Sequence, residues 1–188
     1  MPELPEVETV CLALSKIVYN SKIEDVDVFR SDLRWKIKKS LKHDLENDHF
    51  KQPLRRGKYI LIPTIKDNIF LIHLGMSGQI KIRDNFESIF KHDHVRVTIK
   101  SENDKRYFIT YNDPRRFGYI DLFHKKEINE HFLLKKLGVE PLEKNFNVGY
   151  LQTMFHKKIK CIKDTLMDQS VIAGIGNIYA NEILFIAK

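Results

Sequence analysis

KYILIPTIKDNIFLIHLG (58–75) decides the fold. Two runs rich in isoleucine, leucine and aromatic residues flank Lys66, Asp67 and Asn68. Short apolar runs bounded by turn residues read as strands, so this stretch is a β-hairpin. Reading outward, GQIKIR (78–83) alternates, and HVRVTIK (94–100) puts Val95, Val97 and Ile99 on one face. RYFITYND (106–113) and YIDLF (119–123) follow, with SENDK (101–105) as a turn cluster. Upstream, Ile23, Val26 and Val28 begin another strand. Strands in succession with short links imply an antiparallel sandwich or barrel rather than a parallel sheet.

Helices lie on both sides of this block. Val7, Val10, Cys11, Leu14, Ile17 and Val18 recur at helical spacing, so residues 4–18 form an amphipathic helix. After Phe123 the period changes again. Residues 127–137, 147–158 and 162–167 read as helices, with Gly138 and Pro141 as punctuation. Ile178 to Ala187 is helical, with Gly174 and Gly176 breaking the chain ahead of it. The expected class is α+β. A leading helix and a β-sandwich fill residues 1–125, and a helical unit fills 126–188.

Composition narrows the function. The 188 residues are 43% hydrophobic, enough for a packed core. Lys and Arg number 32 against 25 Asp and Glu, a net charge of +7 that favours a polyanionic partner. Cys11 and Cys161 are far apart, which argues against a disulfide framework or a cysteine zinc site within these residues. No run approaches the ~20 apolar residues of a membrane span. The N-terminus is acidic, unlike a signal peptide. The expectation is a cytoplasmic protein without a membrane segment, acting as a monomer.

Five short stretches carry more than fold. MPELPE (1–6) places Pro2 at the opening of a helix, where its missing N–H costs nothing, and puts acidic Glu3, Glu6 and Glu8 near a positive helix end. RRGKY (55–59) reads either as a solvated strand end or as functional cations. HLGMSGQ (73–79) sets Met76 at a turn tip, a poor place to bury it. NDPRRFGY (112–119) offers Arg115 and Phe117 as a wedge, cation for phosphate and ring between bases. AGIGNIYANE (173–182) exposes backbone N–H groups ahead of a helix, an anion site that suits a DNA phosphate. It is not the dinucleotide fingerprint, because the third glycine and the βαβ unit are missing.

Taken together and in order, MPELPEVET, RRGKY, HLGMSGQ, KHDHV, NDPRRFG and LMDQSVIAGIGNIYANE closely resemble the formamidopyrimidine-DNA glycosylase family of bacterial-type base-excision enzymes. The PELPEVET opening resembles the formamidopyrimidine and 8-oxoguanine branch more than the endonuclease VIII branch. The resemblance implies a helix–two-turn–helix unit in the second half. It also implies DNA-repair activity as a bifunctional glycosylase and abasic-site lyase on double-stranded DNA bearing oxidised purines or abasic sites. Pro2, freed of Met1, would be the nucleophile that forms a Schiff base, Glu3 the general acid, and Lys58 a proton donor in elimination. Glu6 either supports that site or stabilises the helix dipole. His73 and Asn177 match phosphate-binding positions and His92 a DNA contact. Met76, Arg115 and Phe117 match residues that fill the gap left by the extruded nucleotide. Arg116 pairs with phosphate or with Asp113. His92 and His94 form a His-x-His pair without a third ligand, so no metal is expected there.

Two departures from the family pattern stand out. A basic family contact falls at Ile159 here, with Lys158 or Lys160 as the substitute, Lys163 as a further DNA contact, and a solvated helix face as the competing reading. The resemblance also implies a continuation past the equivalent of Lys188 to a four-cysteine zinc finger, with one zinc ion. Within these residues the helical unit is therefore expected to be incomplete, with no cofactor. A catalytically weak or inactive DNA-binding relic is the second reading, and a basic β-sandwich binding RNA or protein the third. The downstream coding sequence would tell whether the finger follows.

Overall fold

The computed structural model describes residues 1–156 and 159–188. Helix α1 spans Leu4–Val18. Strand β1 (Lys22–Val28), a short helix α2 (Leu41–Leu45) and strand β2 (Leu54–Arg56) come next. Then follow β3 (Tyr59–Pro63), β4 (Asn68–His73), β5 (Gln79–Arg83), β6 (Asp93–Lys100), β7 (Arg106–Asn112) and β8 (Tyr119–His124). Helices α3 (Val148–His156), α4 (Ile162–Met167) and α5 (Asn177–Ala187) complete the order.

The strands form two four-stranded antiparallel sheets, β1-β6-β7-β5 and β2-β3-β4-β8. The β3–β4 hairpin expected from the opening stretch is present; it pairs Tyr59 with His73 and Pro63 with Ile69, and Asn68, read as part of the turn, already belongs to β4. Its run is continuous rather than alternating because both faces are covered. Ile60 and Ile62 point into the core between the sheets, where Phe70, Ile72, Val97, Ile99 and Ile109 meet Val7, Cys11, Leu14 and Val18 of α1. Leu61, Ile69 and Leu71 point the other way, onto Tyr119, Phe123 and Leu134. A third cluster, Leu166, Val171, Ile172, Ile175 and Ala180, lies inside the helical unit. The Cys11 thiol is buried, and burial with the nearby Glu8 charge pushes its pKa up to about 11.

The sequence reading needs correction in the second half and at the start. Residues 127–137 are not a helix. A 3-10 turn at Lys125–Glu127 leads into successive turns, with Leu134 N–H bonded to the His131 carbonyl and Leu137 N–H to that of Leu134. The His131 ring is anchored to the sheet, 3.2 Å from Asp121 and stacked 4.3 Å from Phe123. Its apolar residues cover the outer face of β3, β4 and β8, and that tie overrides the helical period. The helix expected over 147–158 is seen over Val148–His156, and its last two residues lie outside the described residues. At the N-terminus, Glu3 is the N-cap of α1 and Pro5 sits in its first turn. Pro2 therefore lies ahead of the helix and has no capping task.

Candidate active site

Glu3 joins the two halves of the molecule. Its carboxylate accepts the backbone N–H of Gly176 at 2.8 Å and of Tyr179 at 3.2 Å on Oε2, and that of Ile178 at 2.8 Å on Oε1. These are unpaired donors at the start of a helix, where a negative group is favoured. The anion site read from AGIGNIYANE is thus real, but its anion is the chain's own carboxylate and not a phosphate. Gly176 permits the approach, since a Cβ there would come within 2.5 Å of the Glu3 carboxyl. Leu4 N–H adds a bond to the Gly174 carbonyl at 3.1 Å. Glu6 accepts the Glu3 backbone N–H at 2.9 Å, so it fixes Glu3 at the same time as it favours the helix end. A carboxylate has about four acceptor positions. Three on Glu3 are filled from the start of α5, and the same side chain closes a capping box with the Glu6 backbone at the start of α1.

Lys58 lies in the turn between β2 and β3 and is only 4% exposed. Burial pushes its amine below the usual lysine range, while the charges of Glu3 and Glu6 oppose that shift. The turn is clamped from the helical half. Arg55 donates to Glu140 at 2.5 Å and to Glu8 at 2.6 Å. Arg56 reaches Glu140 at 3.2 Å and the Gly138 carbonyl at 2.6 Å, and Gly57 N–H also bonds Glu140. Neither reading of the RRGKY arginines was complete. Arg55 is largely and Arg56 partly withdrawn from solvent, and both tie the hairpin to the segment around Glu140.

A groove of about 650 Å³ opens beside the N-terminus. Met1, Arg34, His73, Met76, Arg115 and Phe117 are among the residues that line it. Met76 and Phe117 are 45% and 44% exposed, unusual for residues of their type at a loop tip. The Arg115 guanidinium lies 4.7 Å over the Phe117 ring. His73 ends β4 with its ring 4.8 Å from Tyr59. Burial, with the charges of Arg34 and Lys58 adding to it, pushes its imidazole down to about 4. At neutral pH the ring is uncharged and offers one N–H donor.

Other expected residues lie outside the groove. His92 sits half-buried before β6 with its carbonyl bonded to Asp113 N–H at 3.0 Å. His94 points inward to the Asp113 carbonyl at 2.7 Å, which separates the His-x-His pair. Asn177 is exposed at the first position of α5. Lys163 is half-buried on α4, and Lys160 pairs with Asp168 at 3.6 Å. Lys158 lies outside the described residues. Arg116 pairs with Asp32 at 2.7 Å rather than with the Asp113 side chain. Sequence reasoning missed Arg34 and Glu140, because neither belongs to a local pattern, and it read Asp113 as a turn residue and a partner for Arg116, not as the carboxylate that holds two loops. Among the described residues no group of three or more His, Cys, Asp or Glu side chains could hold a metal. Cys11 is buried and Cys161 exposed, so these residues do not fit a cysteine zinc site. No helix among them is long and apolar enough to cross a membrane.

A two-sheet sandwich whose leading helix is stitched through Glu3 to a helix–two-turn–helix unit defines a narrow class. Residues 1–120 match the formamidopyrimidine-DNA glycosylase N-terminal domain, and residues 137–188 match the formamidopyrimidine-DNA glycosylase H2TH domain. The chain belongs to the formamidopyrimidine-DNA glycosylase family. It is 42% identical over 98% of its length to the formamidopyrimidine-DNA glycosylase of Bartonella henselae, covering 66% of that protein. It is 44% identical over its whole length to that of Ruthia magnifica, covering 67%. It thus spans about two thirds of the length of the curated relatives it matches. Lactococcus lactis formamidopyrimidine-DNA glycosylase, solved non-covalently bound to DNA containing an abasic site, superposes with a TM-score of 0.88 at 31% identity. That alignment covers 98% of this chain and 69% of the other. The same enzyme with DNA containing N7-benzyl-Fapy-dG gives 0.89 at 32% identity, covering 99% of this chain and 67% of that one.

Proposed function

We propose that this chain carries the chemistry of a bifunctional DNA glycosylase and abasic-site lyase that excises oxidised purines from double-stranded DNA. The observation that carries the reading is the groove. Met1, directly before Pro2, lines the same cavity as His73, Met76, Arg115 and Phe117, while Glu3, directly after Pro2, is fixed beneath α5. A Pro2 amine freed beside that groove would face an extruded nucleotide, which supports the reading.

In the 188-residue chain the Pro2 nitrogen is an amide and has no nucleophilic lone pair. Removal of Met1 leaves a secondary amine with a reference pKa of about 7.7–8.0, so a useful fraction is uncharged at neutral pH. Its lone pair forms a bond to C1′ as the glycosidic C–N bond breaks, and the base departs with the electron pair and takes up a proton. The proline nitrogen gives up its proton, the C1′–O4′ bond breaks with a proton taken up at O4′, and an iminium ion, the cationic Schiff base of a secondary amine, is left at C1′. Glu3, directly after Pro2 and held in place by Gly176, Ile178 and Tyr179, is the carboxyl that would handle the proton at O4′. The acidified C2′ proton then passes to solvent water, its electron pair forms the C2′–C3′ double bond, and the C3′–O bond breaks to release the 3′ phosphate. Lys58, buried and close enough to feel the Glu3 charge, is the proton donor for this stage. Uncharged His73 and exposed Asn177 serve as hydrogen-bond partners for phosphates flanking the lesion. Met76, Arg115 and Phe117 fill the vacated stack. His92, Lys158 and Lys163 are further DNA contacts, and no step runs through zinc.

Sodium borohydride reduction on a duplex containing an abasic site tests this. The processed protein is expected to give a covalent adduct that mass spectrometry maps to the Pro2 nitrogen. Protein that retains Met1 is expected to give none. An adduct on a lysine, or no adduct, overturns the reading.

A further inference from the structure

The two loops that carry the exposed groove residues share a single buried carboxylate. Asp113 has no exposed surface. Its Oδ1 accepts Ser77 Oγ–H at 2.6 Å and Arg115 N–H at 3.2 Å. Its Oδ2 accepts Gly118 N–H at 2.8 Å and Tyr111 O–H at 3.2 Å. Burial works against its charge, yet the bonds from Ser77, Gly118, Tyr111 and Arg115 hold the carboxyl below the usual range. Its main chain is also fixed, the N–H to the His92 carbonyl and the carbonyl to His94 Nε2. The Met76 loop and the Arg115–Phe117 loop are thus joined through one side chain, and they touch directly as well. A Cβ on Gly118 would overlap the Tyr111 hydroxyl, and one on Gly75 would fall 2.5 Å from Gly118 N.

We propose that Asp113 is a positioning residue for base extrusion, locking with Ser77 the Met76 loop and the Arg115–Phe117 loop into one rigid wedge. The proposal rests on the DNA reading above. Replacing a stacked base requires the wedge groups to arrive together and resist the closing stack. Two loosely held loops would first have to be ordered, at a cost taken from binding. The bond network does that ordering in the free protein.

The wedge is needed only where bases are stacked, because extrusion is least costly from an already unpaired strand. Asp113→Asn is therefore expected to slow borohydride trapping on an abasic-site duplex about tenfold more than on the same strand alone. Ser77→Ala removes one bond of the four, keeps the fold if Asp113→Asn does not, and is expected to shift the same ratio by about threefold. A second readout is independent of the chemistry. A duplex with 2-aminopurine beside a tetrahydrofuran abasic-site analogue brightens when the base unstacks. Both variants are expected to give a smaller fluorescence rise at saturation than the unaltered protein. Equal losses on duplex and single strand, or an unchanged fluorescence rise, overturn the proposal. An unaltered protein that unstacks 2-aminopurine but traps nothing overturns the covalent reading and leaves the wedge standing. One that does neither overturns both.

Discussion

The Glu3 region and the Met76–Phe117 region look alike in the sequence. The AGIGN stretch that receives Glu3 and the HLGMSGQ stretch that carries Met76 each have paired glycines beside a turn. In the folded protein they are opposites. At Glu3 the helix end is filled by an internal carboxylate, and Lys58 beside it is buried. At Met76 and Phe117 nearly half of each side chain remains open to solvent, and the carboxylate lies underneath, at Asp113, where it holds loops rather than a helix. The difference separates two kinds of preorganisation. The closed region spends its polar groups on placing reactive side chains, so changes there move stability and chemistry together. The open region leaves its contact residues unsatisfied, so changes there should move DNA handling alone.

The sharpest way to break this comparison is Glu3→Gln. Glutamine offers one acceptor oxygen where three N–H groups now converge, and its own N–H₂ would face donors. Hydrogen bonds to a charged group contribute ~1.5–3 kcal/mol each at most, and unpaired buried donors add to the loss, so the net cost is set at about 3 kcal/mol. For a chain of this size that lowers Tm by roughly 6–12 °C. Calorimetry or a circular-dichroism melt reads it. An unchanged Tm would mean that Glu3 does not anchor α5, and the closed region would lose its defining feature.

How much of this was legible beforehand depends on the range of the interaction. Strands β3 to β8 were readable because alternation and buried apolar runs are local consequences of the pleat. Helices α1 and α5 were readable from their period and their flanking Pro and Gly. The groove residues were found through ordered motifs, and the structure does bring Met1, His73, Met76, Arg115 and Phe117 together. What failed was long-range pairing. The bond from Gly176 to Glu3 spans 173 positions, and that from Arg55 to Glu140 spans 85. No window of sequence contains both partners. Residues 127–137 failed for a different reason: His131 lies only 10 positions from Asp121, but its tie to β8 and the packing of Leu134 on the sheet override the local helical period.

Lys58→Met probes the closed region with the opposite sign. The lysine is buried, and its depressed pKa shows that burial outweighs the attraction of Glu3 and Glu6. Methionine has similar length without the charge, so the variant should gain about 1 kcal/mol while losing elimination chemistry. The pH dependence follows from the direction of the shift. The folded amine releases its proton below the ordinary 10.5, so between the two values the unfolded chain holds more protons. Stability contributed by this group therefore rises as pH climbs toward 10.5 and is lost on the way down. Urea midpoints at pH 7 and pH 10 should converge for the variant relative to the parent. A less stable Lys58→Met protein would show that the amine is held by favourable contacts.

The smallest stability effect is expected where the groove is open. Met76 contributes little to any core and is half in water, so Met76→Ala should change the urea midpoint by no more than about 0.5 kcal/mol. Its loop stays in place because the anchors are Ser77 and Asp113, which the substitution leaves intact. The effect on DNA should be out of proportion to that. Removing the thioether leaves a gap in the stack that Arg115 and Phe117 alone must fill, and apolar wedges act by occupying that space. The 2-aminopurine response should fall severalfold at unchanged Tm. If stability and unstacking instead fell together, Met76 would be a structural residue after all. The open and closed regions would then differ only in degree of burial.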